Sequence, residues 1–125
     1  MDNRILIVED NEMNRMLAEI SLSEYQVETQ TAENGQVALQ LVKDNPEGYF
    51  DMIFMDILMP VMNGIEATKG IRSLDRMDTM FVPIIAMTAE SDQDEISKYE
   101  SYGFTDYIEK PMDMDELSRL MEKYL

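Results

Sequence analysis

The chain of 125 residues sets 26 acidic side chains against 10 basic ones, a net charge of -16. A surface that acidic repels phosphate backbones and anionic lipid, so direct nucleic-acid binding and membrane insertion are not expected. The absence of Cys and His removes thiolate nucleophiles, disulfides, the usual general base and the commonest zinc ligands, and leaves carboxylates, hydroxyls and Lys to carry any chemistry.

The chain opens MDNRILIVED, without the basic start and long apolar stretch of a secretory signal, and a cytoplasmic protein is expected. Arg4 to Val8 (RILIV) is a short β-branched run that predicts a buried strand. Met13, Met16, Leu17 and Ile20 then recur at helical spacing and predict a first helix with that stripe in the core. Gln26 to Gln30 alternates weakly, as an edge strand does, and Val37, Ala38, Leu41 and Val42 form a second helical stripe after Asn34 and Gly35. Met52 to Met55 is a third strand, and Ile65, Thr68 and Ile71 mark a third helix. The stretch Asp75 to Thr79 reads as loop, and Val82 to Met87 as a fourth strand with its Pro near the start. Ser91 with Asp94 resembles a capping box opening a helix that stops at Gly103. In that helix Ile96, with Tyr99 and Tyr102, would leave some apolar area exposed. Thr105 to Ile108 is the last strand, and Asp113 with Glu116 caps a final helix whose stripe is Met114, Leu117, Leu120, Met121 and Tyr124. Most of the thirteen Met fall at such core-like positions, which favours packing over an adaptable binding groove.

Five strands alternating with five helices predict a doubly wound α/β domain with a parallel sheet, and no linker divides residues 1–125. In such a sheet the ligand site lies beyond the C-terminal strand ends, where strand order reverses. Reading off those ends collects Glu9 and Asp10 after the first strand, Asp56 closing the third, Thr88 and Ala89 closing the fourth, and Glu109 and Lys110 closing the fifth. Three carboxylates disfavour one another's ionisation unless a cation intervenes. With only oxygen ligands available the fitting ion is Mg2+, with Mn2+ as a substitute. Asp10 and Asp56 are candidate direct ligands and Glu9 a ligand through water. A metal and a Lys together clamp a transferring phosphoryl group, and Asp56 is the best-placed carboxylate to accept it.

The runs ILIVEDNEMNRML and MDILMPVMNGIEATKGIR, the triplet MTA at Met87 to Ala89, and YGFTDYIEKP at Tyr102 to Pro111 resemble the receiver domains of bacterial two-component response regulators. The likeness covers essentially the whole chain and, in VEDNEMNRM and MDILMPVMNG, is similar to receivers of hybrid kinases and phosphorelays. It implies a flavodoxin-like sheet of order 2-1-3-4-5 and phosphorylation of Asp56 by a histidine kinase or a histidine phosphotransfer protein. It further implies Glu9 and Asp10 as the acidic pair for Mg2+, the Leu58 backbone carbonyl as a further metal ligand, and Lys110 as partner of acceptor and phosphoryl. Thr88 becomes the switch hydroxyl, Tyr107 the switch aromatic, Lys110–Pro111 a cis bond, and the output a changed affinity for an effector protein. The same likeness leaves open a free-standing receiver or one belonging to a hybrid kinase. Glu66, Thr68 and Arg72 follow the subtype without any derivable chemistry.

Three other readings compete. A flavin- or nucleotide-binding domain of the same topology needs Gly or hydroxyl residues after strand one, where this chain has EDNEMN. A binding module that is never phosphorylated has no need of Asp10, Asp56, Thr88 and Lys110 together. A small-molecule phosphatase lacks a second aspartate after Asp56, where Leu58 stands. Asp51, about 16 Å from Asp56 along an extended strand, belongs to the opposite sheet edge and is expected only to solubilise a turn.

Overall fold

Apolar residues on both sides of a strand need helices on both sheet faces, and the chain supplies them. The computed structural model describes residues 2–88 and 93–125 and, of Gln93 and Asp94, the backbone. Strands β1 (Asn3–Val8), β2 (Val27–Ala32), β3 (Met52–Asp56), β4 (Ile84–Thr88) and β5 (Asp106–Glu109) form one parallel sheet in the order β2-β1-β3-β4-β5. Helices α2 (Gly35–Asp44), α3 (Gly64–Arg72) and α5 (Gln93–Tyr102) cover the face of Leu6, Val8, Ile53, Met55, Ile84 and Ala86. Helices α1 (Glu12–Leu22) and α6 (Met114–Tyr124) cover the face of Ile5, Ile7, Met52, Phe54, Ile85 and Met87. The doubly wound, flavodoxin-like architecture is the expected one.

Among the described residues the helices number six rather than five, because α4 (Met77–Phe81) occupies the stretch expected as loop. Five residues are too few to show a helical stripe, and polar contacts fix this turn. The Arg76 guanidinium donates to Val42 O and Asn45 O at 2.8 and 3.0 Å and grips both Asp78 oxygens at 3.0 and 2.9 Å.

The larger difference is in α1. Met13, Met16, Leu17 and Ile20, expected in the core, are 64%, 53%, 50% and 62% exposed. The buried side is Ala18 and Leu22, flanked by Asn14, Arg15 and Ser21. Both stripes have helical spacing, and the polar one wins because its side chains find partners at the strand ends. Asn14 Nδ2 donates to Glu9 Oε1 at 3.0 Å, and Arg15 Nη1 donates to the Glu9 and Asp10 carbonyls at 2.8 and 3.1 Å. The Met residues therefore divide: Met52, Met55, Met87 and Met121 are buried, whereas Met13, Met16, Met77, Met80 and Met114 face solvent.

Helix starts follow the sequence closely. Asn34 caps α2 through Val37 N at 2.9 Å, and Asn63 and Glu66 form a reciprocal capping box on α3. Asp113 caps α6 through Asp115 N at 3.2 Å, while Glu116, expected to complete a box, pairs with Arg119 Nη2 at 3.2 Å. The expected box of Ser91 and Asp94 lies outside the described residues, as does Ala89. Helix α5 ends at Gly103, whose φ of +108° suits only glycine. Tyr99, expected near the surface, is 8% exposed and packs in the core with Phe104; Ile96 and Tyr102 are partly buried against the same cluster. Asp51 does more than solubilise a turn. Its Oδ2 accepts from Arg4 N and its N donates to Arg4 O, both at 2.8 Å, which extends the β1–β3 pairing one residue ahead of the start of β3.

Candidate functional site

Between β1 and β3 the chain order reverses, β2 lying on one side and β4 on the other. Register places Val8 opposite Met55, so the next residues, Glu9 and Asp56, meet at the C-terminal edge. Both are buried, at 2% and 4% exposure. Carboxylate oxygens of Glu9, Asp10 and Asp56 lie within 4.8 Å of one another, with Asp10 on the solvent side. The Lys110 ammonium sits between the two buried acids, 3.0 Å from Glu9 Oε2 and 3.1 Å from Asp56 Oδ1.

One ammonium does not balance this cluster. Burial, a hydrogen bond with Glu9 and the charge on Glu9 push the Asp56 carboxyl up to about 7, against the pull of Lys110. Burial also raises Glu9, yet hydrogen bonds from Asp56, Asn14 and Lys110 hold it below the ordinary carboxylate range. The two neighbouring carboxyls are thus shifted in opposite directions, because close like charges in a desolvated site disfavour each other's ionisation. Burial opposes the charge on Lys110, but its bonds to Glu9 and Asp56 hold its pKa above the usual Lys value. The oxygen-only donor set and the excess of negative charge fit a hard divalent cation.

The backbone holds these groups in place. Lys110 N donates to Thr88 O at 2.7 Å, and the Lys110–Pro111 peptide is cis, as expected. On the other side, Gly64 N donates to Ile57 O at 2.9 Å, and a Cβ on Gly64 would stand 2.0 Å from the Asp56 carbonyl oxygen. Only glycine lets the start of α3 close on the strand that carries Asp56. Between them Leu58 lies on the rim, 82% exposed, and Val61 takes a φ of +69°.

These residues line a cleft of about 480 Å³ with Glu9, Asp10, Asp56, Leu58, Thr88 and Lys110 on its walls. Thr88, 8% exposed, closes β4 on the α5 face. Tyr107 is half-buried on β5, packed against the core beneath α5 and outside the cleft wall. Sequence reasoning missed two members. Asn14 holds Glu9, and its signal was its place on the side of α1 opposite the apolar stripe. Tyr99 also lines the cleft, and its hydroxyl donates to Thr88 Oγ1 at 3.4 Å; nothing in local sequence pointed to that pairing.

The model of the response regulator receiver domain matches residues 5–122. The chain belongs to this family. As a receiver domain of two-component and phosphorelay signalling it is similar to part of the peroxide stress-activated histidine kinase mak3 of Schizosaccharomyces pombe, 32% identical over 98% of this chain. The chain spans only 5% of that kinase's length. Among solved structures it resembles the receiver domain of a sensor histidine kinase of Pseudomonas aeruginosa with a magnesium ion coordinated in the active site cleft, at 31% identity and a TM-score of 0.85 over 99% of this chain and 98% of that one. It also resembles the receiver domain of the Saccharomyces cerevisiae response regulator Ssk1, crystallised with the histidine phosphotransfer protein Ypd1, at 33% identity and a TM-score of 0.86 over 98% of this receiver and 88% of that chain. Kinship with fungal as well as bacterial proteins means that family membership does not assign this receiver a bacterial source.

Proposed function

We propose that residues 1–125 form a phosphoacceptor module in which Asp56 takes a phosphoryl group from a phosphohistidine on a histidine kinase or a histidine phosphotransfer protein. The observation that carries this reading is the burial of Asp56 at the sheet's reversal point with Lys110 3.1 Å away and two further acids beside it. An Asp56 oxygen attacks phosphorus, the donor P–N bond breaks, and its electron pair stays on the imidazole as the new O–P bond forms. Lys110 faces the charge that gathers on the phosphoryl oxygens, and the rigid β3 holds the nucleophile in line. Glu9, Asp10 and Asp56, with the Leu58 carbonyl, would hold Mg2+ or Mn2+, which supplies further neutralisation of those oxygens. Thr88 is the hydroxyl placed to receive a phosphoryl oxygen, and Tyr107 packs on the face that responds.

The module signals rather than turning over a substrate, and its product is a changed affinity for an effector protein or domain. Its place is the cytoplasm; in support, no helix among the described residues is long and apolar enough to cross a membrane. The exposed stripe Met13, Met16, Leu17 and Ile20 on α1, next to Glu9 and rimmed by Glu12 and Glu19, suits an apolar helix with basic flanks on the donor. The net charge of -16 speaks against nucleic acid as a direct partner.

Incubation with acetyl phosphate and Mg2+ followed by intact mass tests the central claim. One phosphoryl adduct is expected, absent in Asp56→Asn; an adduct that persists in that variant would sink it.

A further inference from the structure

The loop from Ile57 to Asn63, which carries Leu58 on the rim of the cleft, has a shape that its own residues disfavour. Met62 N donates to Pro60 O at 2.7 Å and closes a three-residue turn around Val61. With Val61 at a φ of +69°, this is the rare and strained form of the γ-turn. A β-branched residue is an outlier in that region, and Val61 is 74% exposed, so packing of its side chain does not hold it there. The base of the loop is closed by Gly64 N on Ile57 O at 2.9 Å, and the capping box of Asn63 and Glu66 fixes its exit into α3.

Among the described residues, the one backbone bond that reaches this loop from outside it and α3 comes from α2. Gly35 N, the first amide of that helix, donates to Met62 O at 3.0 Å. The first amides of a helix have no partner within it, so a single bond here serves both the helix start and the turn. The approach is close: a Cβ on Gly35 would stand 2.6 Å from Met62 O, 2.8 Å from Ala67 Cβ and 3.0 Å from Asn63 O. Gly35 is buried, and neither it nor Met62 lines the cleft.

We propose that Gly35 is a positioning residue for the cation site. The inference rests on the reading of Glu9, Asp10, Asp56 and the Leu58 carbonyl as the groups that hold a divalent cation. Strain at Val61 favours a relaxed loop in which Leu58 is displaced. The Gly35–Met62 bond, made possible by the missing side chain at position 35, clamps α2 on the loop and opposes that relaxation. A carbonyl fixed in advance gives up no loop freedom when the ion arrives, which raises affinity. Gly35 therefore supports the ion from behind, as outer partners of metal ligands do.

The test is an NMR titration with Mg2+ of the wild type, Gly35→Ala and Gly70→Ala, each shown to be folded at the temperature used. Gly70 also lies between α2 and α3, but a Cβ there meets only the flexible Leu39 side chain, at 3.1 Å and beyond. It perturbs the same helix pair without touching the loop. The Kd for Mg2+ is expected to rise roughly tenfold or more in Gly35→Ala and to stay at the wild-type value in Gly70→Ala. An unchanged Kd in Gly35→Ala overturns the proposal and leaves Gly35 a packing residue; equal weakening in both variants overturns it as well. A wild type that binds no Mg2+ overturns the cation reading itself, and the inference with it. Should Gly35→Ala prove unfolded, the wild type decides through the Gly35 amide resonance. That resonance is expected to move on saturation with Mg2+ while the Gly70 amide stays in place, and a stationary Gly35 amide overturns the proposal.

Discussion

The Lys110 ammonium lies 3.1 Å from Asp56 Oδ1 although β4 runs between the strands that carry the two residues. Lys110 reaches across the end of β4 because its backbone N–H is bonded to the Thr88 carbonyl at 2.7 Å, the last rung of the β4–β5 ladder. Removing the ammonium leaves two buried carboxyls facing each other. Lys110→Met is expected to cost about 1–3 kcal/mol of stability in metal-free buffer and to abolish labelling by acetyl phosphate. Urea melts in EDTA read the first effect and intact mass the second.

The raised pKa of Asp56 gives a pH signature. A carboxyl whose folded pKa is raised from 3.8 to about 7 stabilises the fold below its unfolded value and loses that contribution as pH rises through 7. In EDTA the wild type is therefore expected to lose stability from pH 4 to above 7 relative to Asp56→Asn, which has nothing to titrate there. Thermal melts of both proteins across that range measure the difference. Mg2+ is expected to raise the wild-type Tm at pH 7.5 and to do so much less in Asp56→Asn.

A methyl group at position 64 has nowhere to go. Its carbon would stand 2.0 Å from the Asp56 carbonyl oxygen and 3.0 Å from the Met55 side chain, so α3 or the end of β3 must shift. Gly64→Ala is expected to destabilise by about 1–3 kcal/mol, as overpacking does, and to slow phosphorylation because the displaced atom belongs to Asp56's own backbone. Urea unfolding and the rate of adduct formation test the two parts; a variant that melts and labels like the wild type would contradict the close approach.

Far from the cleft, Tyr124 donates to Asp106 Oδ2 at 2.9 Å and ties α6 to β5. Burial raises Asp106, but hydrogen bonds from Tyr107 N and Tyr124, with Arg119 nearby, hold its pKa below the ordinary value. A depressed carboxyl stabilises above its unfolded pKa and loses that contribution as pH falls through the folded one. Tyr124→Phe is expected to cost about 1 kcal/mol at pH 7, shrinking towards zero in acid. Denaturant titrations at pH 7 and pH 3 give the comparison.

The solvent-facing stripe of α1 predicts a partner effect. Met16→Lys and Leu17→Glu alter side chains that are 53% and 50% exposed, so folding is expected to change by no more than about 0.5 kcal/mol. Transfer from a phosphorylated histidine phosphotransfer protein is expected to fall tenfold or more, while acetyl phosphate still labels Asp56. Unchanged transfer from the protein donor would remove α1 from the interface.

The sequence by itself determined the strands, the doubly wound class and the line of polar residues at the strand ends, because a buried parallel strand must be an apolar run and its end must turn polar. The position of Asp56 at that edge was legible for the same reason. Caps such as Asn34 and Asn63 were legible because they act within four residues of themselves. Tertiary structure decided which side of α1 faces the sheet: the apolar and polar stripes have the same period, and only the position of the Glu9 side chain and of the Glu9 and Asp10 carbonyls rewards turning Asn14 and Arg15 towards the strand ends. It also decided the helical turn at Met77–Phe81, built on an arginine that reaches back to α2, and the second role of Asp51. Last, it brought the Tyr99 hydroxyl to Thr88 across an α5 that folds back over β4, a contact whose signal lies in the packing of two elements rather than in the spacing of residues along either.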